Sequence, residues 1–271
     1  MPATASDYTF LREFILSRSE NILDPSRDDL FEARLYRLMQ SHNMTGLDEL
    51  VSKLRLSADP VLEQAVVEAM TINETSFFRD LAAFELLRQK LLPQLIEKCG
   101  GHHTLRFWSA ASSSGQEAYS LAMVIRCHFP QIADRSVEII GTDINAEMVR
   151  RAHAGRYPRM EVNRGLPARL LLKYFTRDGE EWEIAPELRA LCRFQQRNLA
   201  QTLPMFDRFD GILMRNVLYY FPQETQKRIL QNVHAALQPD GFLLLGSSEQ
   251  SVCPDLWQPV LDGKVCYYTP R

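Results

Sequence analysis

The chain has 271 residues, 45% hydrophobic and 24% charged, with a formal net charge of -3. That balance fits a globular protein of one large domain or two smaller ones, and it lacks the broad positive field of a non-specific nucleic-acid binder. No apolar run approaches the roughly 20 residues of a membrane span, and neither the five cysteines nor the six histidines show metal-ligand spacing.

The opening MPATASDYTF has no basic stretch and no apolar core of a secretory signal. An odd cysteine count without a C-x-x-C pair suits a reducing compartment, so a cytoplasmic location is expected. Four helices are predicted between residues 8 and 72. Phe10, Leu11, Phe14 and Ile15 share one face, and Leu30, Phe31, Leu35 and Leu38 a second. Leu47, Leu50, Val51 and Leu54 share a third. After Asp59-Pro60, a helix start, Val61, Leu62, Ala65, Val66, Ala69 and Met70 share a fourth. The expected division is a helical domain over 1–72, a linker over 73–80 and an α/β domain over 81–271.

Beyond residue 80 the pattern changes. A helix over 81–97, with Pro93 late in it, ends at Gly100-Gly101; His102-His103 follows in that glycine-flanked turn, where a solvated loop is the expected state. Strands then alternate with helices: 105–109, helix 115–129, strand 137–142, helix 146–154, strand 210–214, helix 223–237 and strand 242–246. The alternation predicts a mostly parallel sheet with helices on its faces. A last strand over 264–269 is expected antiparallel at the sheet edge. Residues 155–192 break the rhythm with Gly155, Pro158, Gly165, Pro167, Gly179 and Pro186, and predict an inserted small β-unit.

Ligands bind beyond the carboxyl ends of strands in such sheets. Six small residues, Ala110 to Gly115, stand at the first of these ends and permit close approach to the backbone. Glu117 follows. An acid there disfavours a pyrophosphate and suits a cation, although the first turn of any helix also favours an acid. Asp143 ends the next strand, placed for ribose hydroxyls or for capping the helix after it, a role Asn145 fits equally. Asn198-Leu199 and Asn216-Val217 follow further apolar strands. Asn pairs a donor with an acceptor, suited to an adenine edge or an amino-acid head group, and equally to an Asx-turn. Tyr219, Tyr220 and Phe221 are ordinary candidates for core packing. The linker Asn73-Glu74-Thr75-Ser76-Phe77-Phe78-Arg79-Asp80 interleaves polar groups with a Phe pair that could anchor it.

Together these stretches resemble the CheR-type chemotaxis receptor methyltransferases. NETSFFRD is similar to the family's N-x-T-x-F-F-R linker, and WSAASSSGQEAYSLAM to its W-S-A-A-x-S-x-G-E-E-P-Y-S element. GTDINAEMVRRAHAGRY, QRNL, MRNVLYYF and GFLLLGSSEQ follow in order. Gln116, Ala118 and Ser247 depart from the family pattern, where Glu, Pro and His stand.

The resemblance implies a Rossmann-like S-adenosylmethionine-dependent methyltransferase domain, a small all-helical N-terminal domain and, over about 155–192, an inserted β-subdomain. It implies Asn73, Thr75, Arg79, Glu117, Asp143, Asn198, Leu199, Asn216 and Val217 as cofactor contacts. The substrate implied is a glutamate on the cytoplasmic helical bundle of a chemoreceptor. The products are the γ-glutamyl methyl ester and S-adenosylhomocysteine. A monomer that uses no metal, binds no nucleic acid and inserts in no membrane is expected. A glutamate with a pKa near 4.3 is already ionised at neutral pH and needs no general base, so positioning dominates. Arg79 and Tyr220 are the candidate catalytic residues, holding the acceptor carboxylate or the sulfonium end. Arg34 and Arg37, one turn apart, are candidates for receptor docking, a solvated helix face being the alternative. A methyltransferase for other substrates and a cofactor-binding protein without turnover remain alternatives; a dehydrogenase is disfavoured because the first turn carries one glycine and lacks the three-glycine fingerprint.

Overall fold

Thr4 starts helix α1 (Ala5–Ser19) with a reciprocal cap, its hydroxyl accepting from the Asp7 N–H and the Asp7 carboxylate accepting from the Thr4 N–H. This is a computed structural model, and it describes residues 3–56, 58–99, 104–133, 137–201 and 208–271. Helices α2 (Asp29–Ser41), α3 (Leu47–Leu56) and α4 (Pro60–Met70) follow, the last started by the Asp59 carboxylate on the N–H groups of Val61 and Leu62. Leu11, Ile15, Phe31, Leu35, Leu50 and Val66 are central to their common core. Val61 does not belong to it: the buried stripe of α4 runs Leu62, Val66, Val67 and Met70, and Val61 is 77% exposed. Pro60 at the first helical position turns Val61 outward, and the spacing of four then runs from Leu62.

The helix expected over 81–97 is made of α5 (Leu81–Leu86), a wide π-type turn over Leu87–Leu91 and α6 (Leu92–Cys99). Pro93 supplies the reason, since it lacks an N–H and its ring crowds the carbonyl four residues back. Gly100-Gly101 and the pair His102-His103 lie outside the described residues.

The main sheet comprises β1 (Leu105–Ala110), β2 (Val137–Asp143), β6 (Cys192–Gln196), β7 (Phe209–Met214), β8 (Leu237–Leu245), β9 (Trp257–Asp262) and β10 (Val265–Pro270). Its order is β6-β2-β1-β7-β8-β10-β9. The first five are parallel, and β10 runs antiparallel to both its neighbours. Helices α7 (Gln116–His128), α8 (Pro130–Ala133), α9 (Ala146–Ala154) and α13 (Gln223–Ala236) alternate with these strands. The last strand is antiparallel as expected but is not the edge. That place belongs to β9, whose QPVLD stretch alternates weakly and carries Pro259, a residue tolerated on an edge.

Residues 155–192 fold as a second sheet of β3 (Arg156–Pro158), β5 (Glu181–Ile184) and β4 (Phe175–Asp178), antiparallel in that spatial order. Short helices α10 (Arg159–Val162), α11 (Ala168–Tyr174) and α12 (Pro186–Arg189) connect it. The fold class is therefore the expected one: a Rossmann-like α/β sheet with an inserted β-unit and a separate group of helices. The chain divides into two compact units. Residues up to Ile72 group with Tyr219–Thr225, and Asn73–Leu218 group with Gln226–Arg271. Among the described residues no helix is long and apolar enough to cross a membrane.

Candidate functional site

In the second unit, β1 has β2 on one side and β7 on the other, so chain order reverses across it. A sheet opens a crevice at such a point, beyond the carboxyl ends of its strands. The residues there come from three strand ends and from the 73–80 linker.

The turn after β1 explains its small residues. Ala111, Ser113 and Gly115 all adopt left-handed backbone, with φ of 59°, 49° and 92°. Two such non-glycine residues within three positions are sterically costly and tolerable only for short side chains. The turn is held on every side. The Ser112 N–H donates to the Thr142 carbonyl, the Ser113 N–H to the Asp143 carboxylate, and the buried Tyr157 hydroxyl to the Ser114 carbonyl. Burial pushes the Tyr157 phenol far above its ordinary pKa, which keeps it a donor. Gly141 on β2 is needed too: a Cβ there would lie 2.4 Å from the Phe194 ring and 2.9 Å from Ser112 Oγ.

Asp143 lies at the end of β2, 7% exposed. Besides Ser113, its carboxylate accepts the Asn145 N–H at 2.9 Å. The helix cap is Asn145, which accepts from the Met148 N–H, so capping does not explain Asp143.

Glu117 is not a bare acid. Its carboxylate accepts Ser109 Oγ at 2.8 Å and pairs with Arg215 at 3.0 Å. The Arg215 side chain is 2% exposed; it also donates to the Arg79 carbonyl at 2.7 Å, lies 3.4 Å from Asp80 and stands over the Phe84 ring. Arg215 thus joins the end of β7, the start of α7 and the linker. Sequence reasoning passed over it, although an arginine closing the apolar run Ile212-Leu213-Met214 is itself a signal, since a buried charge requires partners. Gln116, where the family pattern has an acid, is buried and reaches Glu161 with its amide while accepting from Ser114.

The linker is fixed to this same unit. Phe77 is fully buried against Tyr157 and Phe175. The Phe78 N–H donates to Ser120 Oγ, and Ser113 Oγ donates to the Asn73 carbonyl. A Cβ on Gly165 would lie 2.1 Å from the Phe77 carbonyl. Phe78 and Asp80 have φ of 50° and 63°, strain of a kind that clusters at ligand sites. Thr75 and the Arg79 side chain are half-buried, the latter donating to the Glu74 carbonyl. Arg164 pairs with Glu74 and holds its carboxyl below the ordinary carboxylate range.

Asn198 accepts the Ala200 N–H through its side chain, the Asx-turn weighed as its plainer role, and Leu199 beside it is buried. Asn216 has left-handed φ, 58°, and its N–H and that of Val217 both go to the buried Glu249. Tyr220 belongs to the other unit, where its carbonyl accepts the Ile22 N–H. In that unit Arg34 donates to the Met70 carbonyl at the end of α4, an internal task, while Arg37 is exposed.

Two further observations bear on the ligand. Among the described residues, Ser112 Oγ and Arg215 Nε are buried without a hydrogen-bond partner, so polar capacity is left over beside the small-residue turn. Two carboxylates, Glu117 and Asp143, stand at adjacent strand ends. A crevice bordered by two carboxylates fits a cationic nucleoside such as S-adenosylmethionine and opposes a phosphate. Among the described residues no cluster of His, Cys, Asp or Glu has the arrangement of a metal site.

Comparison with known proteins gives two family matches. Residues 73–263 match the family described as CheR methyltransferase, SAM binding domain, and residues 6–71 match CheR methyltransferase, all-alpha domain. The chain is 38% identical over 266 residues to chemotaxis protein methyltransferase 1 of Pseudomonas aeruginosa, covering 96% of each. It is 35% identical over 260 residues to chemotaxis protein methyltransferase Cher2 of Pseudomonas putida, covering 94% of each. To the chemotaxis protein methyltransferase of Vibrio parahaemolyticus it is 34% identical over 247 residues, 90% of this chain and 88% of that one.

Proposed function

The chain belongs to the CheR methyltransferase family, and from that premise we propose which of its residues carry the reaction. It is an S-adenosylmethionine-dependent methyltransferase that modifies chemoreceptors, the step that adapts chemotactic signalling. The observation supporting the residue assignment is the convergence of Glu117, Asp143, Asn216 and the strained 73–80 linker at the carboxyl ends of β1, β2 and β7.

S-adenosylmethionine, when bound, supplies an electrophilic methyl group on a sulfonium. Asn73, Thr75, Arg79, Glu117, Asp143, Asn198, Leu199, Asn216 and Val217 hold it. Asp143 offers a carboxylate for paired hydroxyls. Glu117 faces the cationic end with its charge already tempered by Arg215, so it orients a cation without trapping it. A carboxylate bound as strongly as Arg215 binds Glu117 would be a poor nucleophile. For that reason the acceptor glutamate is oriented by the Arg79 side chain, whose hydrogen bond among the described residues goes to the Glu74 carbonyl and not to a carboxylate. Tyr220 has the second orienting role on the strength of its motif. No residue acts as a general base, because the acceptor is ionised at neutral pH. The buried Cys192 thiol, pushed up by burial, takes no part.

The acceptor is the cytoplasmic helical bundle of the receptor, approached by a monomeric, cytoplasmic enzyme, with Arg37 the better of the two docking candidates because Arg34 is engaged internally. The test is transfer of labelled methyl from S-adenosylmethionine to receptor-bearing membranes of the same organism. Label on the receptor band, released by mild base, is expected. Base-stable label would place the methyl on a nitrogen or an ether and overturn the carboxyl assignment.

A further inference from the structure

The closing GSSEQ segment is not absorbed by the account above, yet one of its residues shapes the second strand-end turn. Glu249 is 8% exposed. One of its carboxylate oxygens accepts the N–H groups of Asn216 and Gly246, at 2.6 and 2.7 Å. The other accepts those of Val217 and Leu218, each at 2.7 Å. Four backbone donors on one buried carboxylate form a full set of charge-assisted bonds. Three of the donors are consecutive, and the run begins at left-handed Asn216. Consecutive N–H groups arranged in this way make a concavity that ordinarily receives an external anion.

We propose that Glu249 is a positioning residue for the transfer reaction: it fills this concavity from within, fixes Asn216 and Val217 for the cofactor, and denies the turn to phosphate-bearing ligands. The second effect follows from the first, since N–H groups spent on an internal carboxylate are no longer offered to a phosphate. Gly246 belongs to the same device. A Cβ there would lie 2.6 Å from the Glu249 carboxylate, 2.8 Å from the Asn216 amide nitrogen and 2.9 Å from the Asn216 N–H nitrogen.

The inference rests on Asn216 and Val217 being cofactor contacts, and the experiment separates the two. S-adenosylmethionine affinity is measured by calorimetry for N216A, E249Q and G246A in the full chain, with thermal unfolding and transfer kinetics alongside. Gln at 249 puts an amide donor among four donors. G246A keeps the charge but forces the carboxylate and Asn216 apart, and so serves if E249Q does not fold. All three are expected to weaken cofactor binding by about tenfold or more, since small displacements in a site are costly. The KM for S-adenosylmethionine rises and the KM for receptor does not, a split that general destabilisation would not give. Weakened N216A beside folded E249Q and G246A of unchanged affinity overturns the positioning role alone. Unchanged N216A overturns the contact assignment, and the positioning role with it.

Discussion

The turns after β1 and β7 lie side by side, since Ala110 pairs with Met214 in a parallel register, yet they are built by opposite means. The first is steric. Short side chains occupy left-handed positions, Gly141 leaves room beneath, and the bracing groups are a carboxylate and a phenol at its margins. The second is electrostatic. A single carboxylate 33 residues after Asn216 gathers the backbone N–H groups that define it. Arg215 joins the two by carrying the end of β7 to Glu117 at the start of α7. A site for a cation can thus be lined by acids whose charge is already distributed, one on a guanidinium and one on backbone dipoles.

The largest expected effect comes from cutting the join. R215L strands Glu117, a carboxylate with a side chain only 13% exposed. Breaking a buried pair from one side costs about 3–5 kcal/mol, so urea unfolding is expected to show a loss of that order together with loss of S-adenosylmethionine binding. The double variant R215L/E117L recovers much of the stability and none of the binding. A single variant as stable and as tight as the parent would mean that the two turns are independent.

G141A strikes the steric turn alone. Overpacking of this kind costs about 1–3 kcal/mol, and the loss is expected with the 216–218 amides still protected in hydrogen exchange. Simultaneous loss of that protection would merge the two turns into one cooperative element. R79A should cost no more than about 1 kcal/mol of stability, since the half-buried side chain gives up one hydrogen bond to a backbone carbonyl, while kcat falls by tenfold or more. If steady-state assays instead give an unchanged kcat, the orienting role of Arg79 is wrong. The smallest effect belongs to R164A. Arg164 and Glu74 are each 60% exposed, and solvent screens such a pair to a small contribution. Because Arg164 lowers the Glu74 pKa, whatever the pair contributes is present above the ordinary carboxylate pKa and fades as pH falls through the lowered one. Comparing parent and R164A across pH 3 to 6 at low salt checks the sign.

These two turns also mark what could be read from sequence. The steric one was legible because its signal is local: six small residues between an apolar strand and a helix. So were the alternating strands and helices, Asp143 at its strand end, and the Phe pair anchoring the linker. The electrostatic one was not, because the organising acid stands in a later segment and nothing in RNVLYYF announces it. Arg215 was missed for the same reason, its partners lying at Glu117, Asp80 and the Arg79 carbonyl. Strand β9 escaped because an edge strand with a proline and exposed polar residues lacks the apolar run of the central strands. Val61 was misplaced by one residue because Pro60 sets the phase of α4, and the apolar count alone does not.

The central claim is that the ends of β1, β2 and β7, joined by Arg215, hold the cofactor. A crystal structure with S-adenosylhomocysteine tests it most directly. The account predicts the ligand beyond these three strand ends, with hydrogen bonds to Asp143 and Asn216 and its amino-acid portion near Glu117, and with Arg215 and Glu249 keeping the partners described above. A ligand bound elsewhere, or one that displaces Glu249 from the 216–218 N–H groups, would contradict it.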